Sequence, residues 1–305
     1  MSCLYIIGNG FDLAHAELPD AKELGQYKTK YSDFKDFLKN DCSQENPPCD
    51  FCKKICYCYV LRILESIPNL GEDWSNFEGA LAEFDIDKLL LILKELYKAF
   101  PCVFKGMDNM GSVFSEDLEI SFEKWLNKIQ IGHTKCYDNI NQDGFYINFN
   151  YTDTLEQVYN VSPKNILYIH WKIKNQEHHK CIFGHGKSRY CLKKDNRFQR
   201  CWNDPDLYNI FDFIANLEKD YQFKELKEKE CLIRNCTEVK VIGHSFSDID
   251  KPYFMEIAKI LPKDTPWTYY YYDKDIEKAT KVQEEYKKTI PFFHICPDVQ
   301  IKIIH

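Results

Sequence analysis

Gly8, Asn9, Gly10, Phe11 and Asp12 follow directly on the apolar run Leu4, Tyr5, Ile6 and Ile7. A Gly-x-Gly turn behind a buried strand lets backbone pass close to a ligand. The helix it opens offers a phosphate its first N–H groups and the positive end of its dipole. The helix is expected to begin near Asp12. A full dinucleotide fingerprint has a third glycine three residues after the second, where this chain has Leu13, so the turn also reads as a purely structural strand end. Asn150 closes the aromatic run 144–150, with Asp153 just beyond it. His170 ends the run 166–169, and Gly243, His244 and Ser245 end the run 239–242, with Asp248 following. An amide can orient water or a ligand's hydroxyls, an imidazole accepts a proton near neutral pH, and carboxylates stabilise developing positive charge. Asn150, His170 and Asp153 are the catalytic candidates. Gly8, Asn9, Gly10, Phe11, Asp12, Gly243, His244, Ser245 and Asp248 are the candidates for binding the nucleotide.

These groups need a sheet to bring them together. Runs at 144–150, 166–169, 239–242 and 267–272 have strand character, and residues 299–304 read as a last edge strand. A helix is expected from Thr152 or Asp153 as cap, another from about Pro252, and a third to about Lys287. Strands alternating with helices predict an α/β, Rossmann-like fold with a mostly parallel sheet, whose ligand crevice lies beyond the carboxyl ends of the strands. Residues 20–141 have helical periodicity instead, as in Tyr31, Phe34, Phe37 and Leu38 or Leu89, Leu93 and Leu96. They are expected to form a large helical insertion after the first strand, packed on a nucleotide-binding core of residues 1–19 and 142–305. Trp74 and Glu78 lie one helical turn apart. They read either as an aromatic core anchor beside a solvated carboxylate or as part of a segment closing over the glycine turn.

The 40 basic and 47 acidic residues give a net charge of −7, which argues against a duplex-DNA footprint. With no apolar run long enough to span a membrane and no leader before the first strand, a cytoplasmic protein is expected. Most of the 14 cysteines are then reduced core thiols. Cys49, Cys52, Cys56 and Cys58 form two close pairs that could converge on structural zinc, but their tight spacing favours a reduced helix face, and no other metal is expected. Residues 174–205 read as a polar loop with His178, His179, Cys181 and His185. Gly184–Ser188 is not a P-loop, since Cys181 stands where its first glycine belongs. The basic run 187–200 is a solvated face or an attractor of phosphates and single-stranded nucleic acid.

IIGNGFDLAH at the start, YSDF at 31–34, NFNYTDTLE at 148–156, YIH at 168–170 and IGHSFSDID at 242–250 resemble the AbiH family of phage abortive-infection proteins. The family usually has His-Gly where this chain has His170-Trp171, a ring that would cap or narrow the pocket. More distantly the motif order is similar to sirtuin-like NAD-binding domains. That likeness implies a glycine loop at Gly8–Gly10 on the pyrophosphate, Asn150 beside the nicotinamide ribose and His170 as catalytic histidine. It also implies Gly243 and Ser245 near the adenosine half, while the Asp expected two residues after Asn150 is Thr152 here, with Asp153 next. The resemblance implies an anti-phage effector that binds and hydrolyses NAD or a related nucleotide, with a homo-oligomer or a defence protein as partner. Other readings are a non-catalytic nucleotide sensor, an RNA-cleaving toxin, and a hydrolase with a nucleophile elbow at Ser245 served by Asp273 and His294.

Overall fold

Strand β1 (Ser2–Ile7) has no polar alternation because both its faces are covered. Leu4 and Ile6 belong to one apolar cluster, and Cys3, Tyr5 and Ile7 to the other. In this computed structural model the described residues are 2–25, 28–43, 60–68, 70, 71, 74, 77–81, 84–99, 110–138, 140–170, 184, 205–219, 221–271 and 275–297. The other strands are β2 (Phe145–Asn148), β3 (Ile166–Tyr168), β4 (Cys236–Ile242), β5 (Trp267–Tyr271) and β6 (Phe293–Pro297). They form one six-stranded sheet in the order β3-β2-β1-β4-β5-β6, with every neighbouring pair parallel. Register sets Tyr5 beside Tyr146, and their rings stack at 4.7 Å. The chain runs outward from β1 to β3, then returns to the far side of β1 as β4, so the order reverses between β1 and β4. Such a reversal opens a crevice at the carboxyl ends of the two strands.

The chain divides into two units, residues 1–29, 128–182 and 221–305, and residues 30–127 and 183–220. The sheet unit carries α1 (Asn9–Ala16); the helical unit has α2 (Tyr31–Ser43), α3 (Ile86–Ala99) and α4 (Met110–Leu126). Next come α5 (Thr154–Tyr159) of the sheet unit, α6 (Pro205–Asn216) of the helical unit, and α7 (Lys251–Ile260) and α8 (Ile276–Tyr286) of the sheet unit. The helical unit is built on rings: Phe34, Trp74, Phe77, Phe122 and Trp125 lie in mutual contact, all fully or almost fully buried. Trp74 is thus a core anchor, and Glu78 pairs with the buried Lys219 at 3.4 Å instead of being solvated. The last strand among the described residues is Phe293–Pro297; residues 299–304 lie outside them, as do Cys49, Cys52, Cys56, Cys58 and the loop 185–200.

Candidate functional site

The turn after β1 is tighter than its sequence suggests. Helix α1 starts at Asn9, with Gly8 as an extended N-cap, three residues before the expected start at Asp12. Its first N–H groups do not all face outward: Gly10 N–H donates to the Gly243 carbonyl at 2.8 Å and Phe11 N–H to the Gly8 carbonyl at 3.0 Å. The glycines let the β1 and β4 turns touch. A Cβ on Gly8 would stand 2.5 Å from His244 Cα, and one on Gly243, at φ 65°, only 2.2 Å from the Phe11 nitrogen.

Asp12, in the first turn of α1, is fully buried and accepts hydrogen bonds from the Thr152 hydroxyl at 2.5 Å and the Thr154 hydroxyl at 2.7 Å. Burial pushes its carboxyl up to about 6, against the opposing pull of the two hydroxyls and the Asn150 amide. Asp153 is the N-cap of α5, yet no side chain caps that helix, because Thr152 turns to Asp12. Asn150, 3% exposed, donates from Nδ2 to the Gly8 carbonyl at 3.1 Å and takes the Asn148 side-chain oxygen on its own N–H at 3.0 Å. Its Oδ1 is buried and accepts no hydrogen bond among the described residues.

Beyond β3 and β4 a second polar group is buried. His170 and His244 are each 3% exposed, and both Nε2 atoms face Asp250, at 3.8 Å from Oδ1 and 3.6 Å from Oδ2 respectively. The Ser247 hydroxyl donates to Oδ2 at 3.0 Å. The Phe246 N–H donates to His244 Nδ1 at 2.9 Å, so neutral His244 carries its proton on Nε2, toward Asp250. The Phe149 ring packs edge-on against both imidazoles, and Tyr151 stacks on His170 at 5.5 Å.

Asn150, Asp153, His170, Gly8, Gly10, Asp12, Gly243 and His244 therefore meet at the carboxyl ends of four adjacent strands. Asn9, Ser245 and Asp248 form the exposed margin. The Phe11 ring lies in the core against His15, Tyr137 and Tyr159, which leaves the rim only its backbone. Trp171 lies outside the described residues. The elbow reading fails on position. His294 is in register with Thr268 and hence with Lys240, five residues of about 3.3 Å each short of Ser245 along the strand direction. Asp250 was missed by sequence reasoning, which took Asp248; the signal available was Pro252, since a proline at the second helical position marks Asp250 as the residue before the helix.

The family model for bacteriophage abortive infection AbiH matches residues 4–271, a span that runs from β1 to the end of β5 and holds every residue of this rim. The chain belongs to the AbiH family. Membership indicates a function in phage abortive infection. No curated protein and no solved structure matches the chain. For an AbiH chain it also matters that no helix among the described residues is long and apolar enough to cross a membrane, and that no cluster of three ligating side chains among them is suited to a metal ion.

Proposed function

We propose that this AbiH chain acts in abortive infection by binding NAD or a related nucleotide at the β1–β4 rim and hydrolysing the bond between nicotinamide and ribose. The observation that carries the reading is Asn150 Oδ1, a buried acceptor without a hydrogen-bond partner among the described residues, beside Gly8 at the sheet's reversal point. Leaving such an atom unsatisfied costs about 1–3 kcal/mol, and a ribose hydroxyl or a water would supply the missing donor. Water attacks the anomeric carbon, the C–N bond breaks with its electron pair leaving on nicotinamide, and the water proton passes to His170. Asn150 orients the water or the sugar; Asp153, with Asp12 behind it, offsets the positive charge gathering on the ribose. Asn9, Gly243, Ser245 and Asp248 form the margin over which the rest of the nucleotide would lie.

The test is nicotinamide release from NAD by purified protein, with metabolite profiling of expressing cells. Asn150→Ala and His170→Ala should each abolish release in protein that still folds and unfolds cooperatively. Nucleotide recovered intact from the protein would make it a sensor, and RNA breakdown without NAD loss a nuclease; either result sinks the hydrolase.

A further inference from the structure

We propose that Asp250 is the positioning residue of this rim, the carboxylate that fixes the tautomer and orientation of His170; the inference rests on the reading of His170 as proton acceptor. Asp250 is the N-cap of α7, a place where an aspartate side chain ordinarily accepts an N–H from its own helix. Here it makes no such bond. It turns instead into a pocket made by the ends of β3 and β4, where its two oxygens have different surroundings. Oδ2 faces the Nε2–H of His244 and takes the Ser247 hydroxyl, while Oδ1 faces His170.

The asymmetry follows from His244. Its Nδ1 is held as an acceptor by the Phe246 N–H, so its Nε2 can only donate, and a charged His244 would have to give up the Phe246 bond. His244 thus presents an Nε2–H toward Oδ2 of Asp250, whose other oxygen faces His170. Among the described residues Asp250, Phe149 and Tyr151 lie against the His170 ring, and Phe149 also packs edge-on against His244. With a carboxylate on the Nε2 side, the proton of neutral His170 sits on Nε2, and Nδ1 is the nitrogen that accepts a proton from water. The carboxylate also stabilises the imidazolium that results, as in other His–Asp pairs. At 3.8 Å the pair is within ion-pair range and tightens into a hydrogen bond only by closing by about 1 Å.

The test is NMR of the imidazole nitrogens in ¹⁵N-labelled protein, with signals assigned through single His→Gln variants. In the native protein His170 should be the Nε2–H tautomer; an Nδ1–H tautomer overturns the proposal, and this measurement depends on no variant of Asp250 folding. In Asp250→Asn the titration midpoint of His170 should fall by about one pH unit or more, the effect of removing an adjacent opposite charge, while that of the exposed His294 stays put. An unmoved His170 midpoint in a variant that melts like the native protein overturns it too. Neither readout involves NAD: a shifted His170 in a protein that leaves NAD intact upholds the role of Asp250 and removes the hydrolase reading. NAD cleavage with an unmoved His170 does the reverse.

Discussion

Asn150 Nδ2 donates to the Gly8 carbonyl at 3.1 Å, a bond between residues 142 apart in sequence that ties the end of β2 to the turn after β1. Asn150→Ala removes that bond and leaves the Gly8 carbonyl with the Phe11 N–H, so unfolding free energy should fall by about 1–2 kcal/mol. A urea titration measures it. The chemical effect should be far larger than this modest structural one: nicotinamide release should be lost altogether.

Gly243→Ala should be among the most damaging single-methyl changes in the chain. The added carbon would meet the Phe11 nitrogen at 2.2 Å, and alanine is strained at φ 65°. Clash and strain together predict a loss of at least about 2–3 kcal/mol, with the β1 and β4 turns forced apart. Denaturant unfolding reads the loss, and a variant as stable as the native protein would refute the turn-on-turn contact.

Asp12 predicts a pH dependence of definite sign. Its folded value, about 6, lies above its ordinary 3.8, so the folded protein holds this proton more tightly than the unfolded chain. The contribution is fully present below the unfolded value and is lost as pH rises through about 6, with a total on the order of 3 kcal/mol. Asp12→Asn keeps a polar group beside both threonines and cannot ionise. Its unfolding free energy, followed from pH 4 to 7 against that of the native protein, should lack this decline.

Tyr159 tests the layer beneath the rim. Its hydroxyl accepts the N–H groups of Cys136 at 3.1 Å and Tyr137 at 3.0 Å. It donates to His15 Nε2 at 2.7 Å, because His15 Nδ1 must donate to the Phe11 carbonyl. Tyr159→Phe strands the buried Tyr137 N–H and His15 Nε2 together with the part-buried Cys136 N–H, and should cost about 2–3 kcal/mol in a thermal or urea melt without touching the rim itself.

The sheet was legible because a parallel strand buried on both faces carries a run of apolar residues, as Leu4–Ile7 does, and because β4 keeps Val239, Val241 and Ile242 around its single Lys240. The start of α1 was not, because the glycines look like a ligand cradle and their other task, letting Gly10 reach the Gly243 carbonyl, depends on a residue over 230 positions away. Phe11 was misjudged for a similar reason: adjacent residues of a helix point to different faces, and its ring goes to the core while its neighbour Asp12 turns to the threonines. Asp248 and Asp250 are equivalent on paper. Only the exposure of the first and the imidazoles around the second separate them. Strand β6 was not read from the sequence because its burial is uneven, with Phe293 alone among its residues fully covered.

β4 reaches its place beside β1 only after residues 8–235 have been made. On the ribosome, therefore, His170 exists for some 80 residues of synthesis before Asp250 is there to meet it, and the Gly8 turn waits longer still for His244. A chain cut short before Asp250 would have all of β1, β2 and β3 and still no assembled centre. Whatever chemistry the rim performs, its parts cannot meet before Asp250 has been made.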